Sequence, residues 1–145
     1  MTSTPFLDRS FQFASIVALS AWAALFLLPT GVVNQPLWVA VPVALLCAFY
    51  GYLLFFGGRY DQAGTRPRGN FRSMRGVLKL FQSPRAVLVG WVHFLAFDLM
   101  IGLFIVIDAA DQGSAHGWTL PSLFLTLMLG PLGLLSYFLL RILMG

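Results

Sequence analysis

Apolar residues fall in four long blocks along the chain, separated by short polar segments. The blocks cover about residues 11–28, 37–56, 86–107 and 119–143. Each is close to or longer than the ~20 residues that an α-helix needs to cross ~30 Å of hydrocarbon. Prolines in or beside the blocks do not argue against helices, because neighbouring helices and side chains satisfy the freed carbonyls. The pattern predicts an all-α integral membrane four-helix bundle, one four-span domain over residues 1–145.

The composition agrees with a membrane location. The chain is 59% hydrophobic and 10% charged, with a mean hydropathy of +0.83, whereas soluble domains carry roughly a quarter charged residues. No small-residue cleavage pattern follows the first block, so we expect it to remain as a span. Cys47 is the only cysteine, which excludes a disulfide framework and a cysteine-based metal site.

Basic residues predict the orientation. Seven of the nine lysines and arginines lie between the second and third blocks: Arg59, Arg66, Arg68, Arg72, Arg75, Lys79 and Arg85. Such a loop is expected on the cytoplasmic side. The first turn, 29–36, has no charge, and the segment after the third block holds Asp108 and Asp111 without a basic residue. With four crossings, both termini are then expected in the cytoplasm.

The basic loop contains the segment "FRSMRGVLKLFQ", residues 71–82. Its apolar side chains share one helical face and its basic side chains the other. We predict a basic amphipathic helix that lies at the membrane interface. Residues 71–85 then either bind anionic lipid head groups or an acidic partner, or only orient the third span. We expect no nucleic-acid binding, since the loop lacks an array of stacking aromatic residues.

Motifs of soluble enzymes are missing from the sequence: it has no glycine-rich phosphate loop, no G-x-S-x-G elbow and no H-E-x-x-H. The segment from Asp108 to His116 brings two carboxylates near an imidazole, a set that can ligate metals. A solvated polar loop is the interpretation we favour there. We therefore predict neither a metal site nor a cofactor.

The stretch "GWVHFLAFDLMIG", residues 90–102, carries His93 and Asp98 in the middle of an apolar block. Five residues rotate an α-helix by about 500°, so the two side chains point roughly 140° apart. A carboxylate that faces lipid costs several kcal/mol, so this helix is expected at the centre of the bundle or beside a cavity. The two polar groups either hold helices together by hydrogen bonds or act as a buried acid and base.

Their partners must come from other spans, and the candidates are Tyr50, Tyr52, Thr126, Ser136 and Tyr137. The fourth block contains Gly130, Pro131 and Gly133, which predict a broken helix. Such a break either opens backbone groups towards a cavity or forms a kink with a close-packing surface. We expect a ligand, if one binds, between the third and fourth blocks beside Asp98.

Three stretches together resemble the abscisic acid-deficient 4-like family of small four-span membrane proteins: "LFLLPTGVVNQPLWVAVP", "FQSPRAVLVGWVHFLAFDLMIGLFIVIDA" and "LPSLFLTLMLGPLGLLSYFLLR". The resemblance covers about residues 11–141. Its plant members are neoxanthin synthases, so the resemblance implies a link to carotenoids. The chain begins without a plastid transit peptide, and we expect a bacterial member in the inner membrane.

The plant reaction turns an epoxide into an allenic alcohol, a redox-neutral isomerisation that needs an acid and a base. By resemblance we expect Asp98 to act as the acid and His93 as the base or as a hydrogen-bonding orienter. Gln82 and Arg85 are expected to steady a hydroxylated ring at the membrane edge. The predicted substrate-binding residues are Trp91, Gly102, Gly130, Pro131, Gly133, Tyr137, Gln82 and Arg85.

Two other kinds of function stay open at this point. The chain is also consistent with a non-catalytic carotenoid-binding or pigment-complex subunit. Intramembrane histidine and aspartate suit a small proton-coupled transport or assembly protein as well. A helical unit of this size is a candidate for homo-oligomerisation, although no GxxxG pattern identifies an interface.

Overall fold

The computed structural model is built from α-helices and describes residues 4–28, 37–61, 63–64 and 66–144. The uncharged first turn at 29–36 lies outside the described residues. Two short 3₁₀ helices, Gly57–Tyr60 and His116–Trp118, follow the second and fourth α-helices. The α-helices are α1 (Pro5–Leu27), α2 (Leu37–Phe56), α3 (Met74–Leu80), α4 (Pro84–Asp111), α5 (Leu120–Leu129) and α6 (Pro131–Met144).

Within the described residues three helices, α1, α2 and α4, are long and apolar enough to cross a membrane, which confirms the all-α membrane class. The first begins earlier than the apolar block suggested, at Pro5 rather than near residue 11. Its start is capped, because Thr4 Oγ1 accepts a hydrogen bond from the Leu7 backbone N–H at 3.4 Å. Proline at the first helical position needs no hydrogen-bond acceptor. Because Asp8, Arg9 and Ser10 interrupt the apolar pattern, the apolar block does not include the first turns of this helix.

Helix α4 lies at the centre and contacts α1, α2, α5 and α6, as the polar groups within it predicted. It runs parallel to α1: Trp91 Nε1 donates to Ser15 Oγ at 3.3 Å, and further along both helices Gly102 packs against Trp22. It runs antiparallel to α2, whose last turns lie beside Arg85. The buried side chains between these helices are mainly small or branched apolar ones.

The last apolar block forms a helical hairpin. Ser136 Oγ donates to Ser122 Oγ at 2.9 Å, whereas fourteen residues of continuous helix would separate these positions by ~21 Å. The chain reverses at Gly130, which has a φ of +46°, a conformation open to glycine. With 10 residues, α5 is ~15 Å long and reaches about half-way across the hydrocarbon. The hairpin of α5 and α6 therefore fills the fourth position in the bundle.

The open end of the hairpin is tied to the end of α4. Tyr137 Oη donates to Asp108 Oδ2 at 2.5 Å, and Arg141 Nη1 lies 3.4 Å from Asp108 Oδ1. At the other end of the bundle, Phe6 at the start of α1 stacks on Tyr60 with ring centroids 3.6 Å apart. The two ends of the described chain thus lie at opposite ends of the bundle.

Residues 119–143 thus form two shorter helices and not the single continuous helix that the block predicted. The sides of the membrane on which the termini lie stay a prediction. Hydropathy counts apolar residues but carries no information on chain direction. A block of about 25 apolar residues buries its surface equally well as one crossing helix or as two shorter helices packed on each other. The Gly130-Pro131 break was recognised in the sequence, but its angle was not.

The helix predicted in the basic loop is present as α3 and is shorter than the predicted 71–82; its position at the membrane interface stays a prediction. Ser73 Oγ caps it by accepting from the Gly76 N–H at 3.1 Å, and the preceding chain folds back so that Asn70 lies against Gly76. This turn prevents the helix from starting at Phe71. The Phe71 side chain is nonetheless 80% exposed in the protein alone, as expected for a segment whose apolar face meets lipid.

Candidate functional site

A cavity of about 560 Å³ lies between α2, α4 and the chain around α3, within the size range of small-molecule sites. Three polar side chains reach it: Tyr50 from α2, and Arg85 and His93 from α4. The remaining wall is apolar, with aromatic rings prominent: Leu54, Pro67, Phe71, Leu80, Phe81, Ala86, Val89, Gly90 and Phe94. Few polar groups on an apolar wall are typical of sites that bind apolar molecules by one polar end.

His93 is positioned among aromatic rings. Its imidazole centroid lies 4.5 Å from that of Phe97 and 5.8 Å from that of Tyr50. The side chain is exposed at the protein surface, so it faces the cavity and not the bundle interior. Among the described residues none forms a hydrogen bond with this ring. A neutral imidazole offers one donor and one acceptor, and both remain available to a ligand.

Arg85 is held at the base of the cavity by Asp61, which follows the first 3₁₀ helix. Nε and Nη2 of Arg85 donate to the two carboxylate oxygens of Asp61 at 2.9 and 3.0 Å. The Asp61 side chain is 2% exposed and that of Arg85 14%. A cation in the first turn of α4 is repelled by the positive end of the helix dipole, and the Asp61 carboxylate beside Arg85 offsets this repulsion.

Sequence reasoning missed Asp61. The residue lies in a segment rich in glycine, proline and arginine, where no periodic pattern predicts a contact. One signal was available: Asp61 is the only acidic residue between the second and third apolar blocks, among seven basic ones. In the sequence any of these basic residues could pair with the Asp61 carboxylate, and only the fold brings Arg85 next to it.

Asp98 lies on another side of α4, beside the tip of the hairpin. Gly130 is so close that a β-carbon there would stand 2.7 Å from Asp98 Oδ1. The N-terminus of α6 begins at this point, and the N-terminal end of a helix favours a nearby carboxylate. Asp98 and His93 have different neighbours, in line with the angle of roughly 140° between them.

The other predicted site residues are distributed over the bundle. Trp91 and Gly102 face α1, where they contact Ser15 and Trp22. Gln82 is exposed and is not part of the cavity wall. In the hairpin, Pro131 begins α6, Tyr137 binds Asp108, and Gly133 packs on the backbone of Thr126. The cavity therefore includes His93 and Arg85 of the predicted set and lies on the α2 side of α4, not between the third and fourth blocks.

Two proposed partners of the polar groups, Thr126 and Ser136, bond within the hairpin instead, to the Ser122 carbonyl and hydroxyl. The side chains of the segment 108–116, at the end of α4, are also divided. His116 Nε2 lies 3.2 Å from the Phe26 carbonyl oxygen of α1, whereas Asp108 binds the end of α6. Within the described residues no group of three metal-ligating side chains comes together.

The family model described as ABA DEFICIENT 4-like matches residues 9–137. This range includes α1, α2, α4, the cavity, and the hairpin as far as Tyr137. Searches of curated proteins and of solved structures give no match. With the match covering nearly the whole chain, this protein belongs to the ABA DEFICIENT 4-like family of membrane proteins.

Proposed function

We propose that this protein binds a carotenoid or related isoprenoid lipid by one end group in the cavity between α2 and α4, and that it catalyses a redox-neutral isomerisation there by proton transfer through His93. The observation that carries the proposal is the position of His93: a hydrogen-bonding imidazole without a partner among the described residues, in the wall of an apolar cavity. Family membership supports a membrane protein of this kind.

The shape of the cavity suits a ring at the end of a long apolar chain. Flat side chains, Phe71, Phe81 and Phe94, form much of its wall and present π faces to an end-group ring. A volume of about 560 Å³ accommodates a substituted ring and the first part of a polyene. The rest of such a lipid then lies in the bilayer along α4.

Proton chemistry needs a group that both accepts and donates, and histidine does so near neutral pH. Tyr50, whose ring faces His93, supplies a hydroxyl on the opposite wall for an oxygen of the ligand. Asp98, expected from the sequence to be the acid, takes no part in the proton transfer of this proposal, because it faces the hairpin.

A non-catalytic binding function is the second candidate, and one observation favours it. Of the two titratable groups predicted to work together, His93 alone lines the cavity. A carotenoid-binding subunit needs the apolar wall and a single anchoring group, with no second proton carrier. In that case pigment would copurify with the protein unchanged.

The cavity opens near the basic loop, so by the distribution of lysine and arginine we place it at the cytoplasmic face. Arg72, Arg75 and Lys79 of α3 and its flanks are exposed and would draw this end of the molecule to anionic lipid head groups. The start of α1 is then cytoplasmic as well.

The test uses the two histidines of the chain as a matched pair. His93→Gln and, as the control, His116→Gln are expressed in a carotenoid-producing host, and both the membrane content of protein and the pigment profile are measured. We expect His93→Gln to accumulate normally and lose the isomerised pigment, with His116→Gln like the wild type. Bound but unmodified pigment in the wild type would favour the binding subunit, and equal profiles for both variants would exclude His93 as the working group.

A further inference from the structure

Among the residues that line the cavity, Arg85 is the only one with a permanent charge. An unpaired arginine at the membrane edge is a strong site for phosphate and carboxylate, because its fork of N–H donors matches their oxygens. Here the fork already holds Asp61 through Nε and Nη2. The charge that would attract an anionic lipid is therefore cancelled within the wall of the site.

Cancelling the charge does not remove the hydrogen-bonding capacity. A guanidinium carries five N–H groups, and Asp61 uses two of them. Nη1 donates to the Leu53 carbonyl oxygen at 3.4 Å, a long bond that leaves its other N–H free. The position is rigid, since the stem of Arg85 packs on Gly57 so closely that a β-carbon there would lie 2.8 Å from Cδ.

We infer that the Arg85–Asp61 pair makes the cavity selective for a neutral, oxygen-bearing lipid end, such as a hydroxyl, epoxide or carbonyl, and rejects the anionic end of a fatty acid or phospholipid. This inference rests on the proposed function. Arg85 supplies the donor for the neutral oxygen. Asp61 is a positioning residue: it fixes the guanidinium and repels a second carboxylate or phosphate.

Such selectivity has a physical purpose in a membrane. Phospholipids outnumber any isoprenoid substrate in the bilayer, and the basic surface of α3 concentrates the anionic ones at this end of the protein. A cavity that presented a bare arginine would fill with head groups. The buried carboxylate keeps the interior neutral while the outer surface stays basic.

The experiment compares all-trans-retinol with all-trans-retinoate, which share ring and polyene and differ in the charge of the polar end. Binding to the purified full chain in neutral detergent is measured by fluorescence, at a mildly alkaline pH where retinoate is ionised. We expect the wild type to bind retinol at least about tenfold more tightly than retinoate. Asp61→Asn leaves Arg85 uncompensated and should lower this ratio to about one or below.

Arg85→Gln leaves the opposite charge uncompensated and should raise the ratio above that of the wild type, so either variant is informative if the other fails to accumulate. Asp108→Asn, which breaks the Arg141–Asp108 pair at the end of α4, is the control and should keep the wild-type ratio. A wild type that binds retinoate as tightly as retinol would overturn the inference, as would an Asp61→Asn variant that weakens both ligands equally. Binding of neither probe would instead contradict the proposed function itself.

Discussion

The cavity wall beside α4 and the interior of the α5–α6 hairpin are packed in opposite ways. On the α2 side, Gly90 faces a side chain, the ring of Phe81, which a β-carbon at position 90 would approach to 2.9 Å. Inside the hairpin, Gly133 of α6 lies against the side-chain Oγ1, the backbone nitrogen and the Cα of Thr126 in α5. A phenyl ring turns or shifts at little cost, whereas the backbone of a packed helix does not.

This contrast separates a cavity wall that can yield from a hairpin that cannot. The face with movable aromatic side chains contains the cavity and His93, where a ligand can be accommodated by small rearrangements. The close contact between α5 and α6 fixes the hairpin, whose Gly130 lies beside the Asp98 carboxylate. Gly133, beyond the break in the helix, therefore marks close packing, and the cavity that contains His93 lies on the side facing α2.

The largest effect is expected in a test of topology. If α5 and α6 form a hairpin, a reporter that is active only outside the cytoplasm should be active when fused after Met144, as it should be at Gly113, and silent at Gly64. The reason is that Tyr137 and Arg141 bind Asp108 at the end of α4. Enzyme activity of the three fusions in intact cells gives the answer directly.

An active reporter at Gly113 with a silent one after Met144 would mean that the last block crosses the membrane after all. In that case α5 and α6 would not form a hairpin in the membrane, and the contact of Asp98 with Gly130 would have to be reassigned. A silent reporter at Gly113 together with an active one at Gly64 would show that the orientation is reversed. The comparison of the cavity wall with the hairpin would still hold.

The degree to which the sequence predicted this molecule follows the same division. The long apolar helices, the amphipathic α3 and the break at Gly130 depend on local composition, and each could be recognised in the sequence. The reversal at Gly130 and the pairing of Arg85 with Asp61 depend on contacts between distant residues. In the sequence Asp61 is a single acidic residue among seven basic ones, and only tertiary packing pairs it with Arg85. Tyr50 beside His93 and Gly130 beside Asp98 were among the neighbours that the sequence suggested.

A substitution at Gly133 should show a large loss of stability. Gly133→Ala places a methyl group against the Thr126 backbone, and overpacking of this kind typically costs ~1–3 kcal/mol. We expect reduced accumulation in membranes and a lower midpoint of thermal unfolding in detergent. Gly51→Ala is the matched control within α2, since a β-carbon there would meet nothing within 4 Å. A Gly133→Ala variant as stable as Gly51→Ala would show that the hairpin yields and that it is no more rigid than the cavity wall.

The smallest effect on the fold, and the sharpest test of the cavity face, is expected at Gly90. In Gly90→Ala the new methyl group meets the far edge of the Phe81 ring, which can move by a few tenths of an ångström into the cavity that it lines. Accumulation and thermal midpoint should therefore stay within about 0.5 kcal/mol of the wild type, as for substitutions without a severe packing conflict. Because the displaced ring narrows the space beside His93, retinol affinity should fall severalfold. Unchanged affinity with unchanged stability would place the ligand away from Phe81, and a loss of stability equal to that of Gly133→Ala would mean that this wall is as rigid as the hairpin.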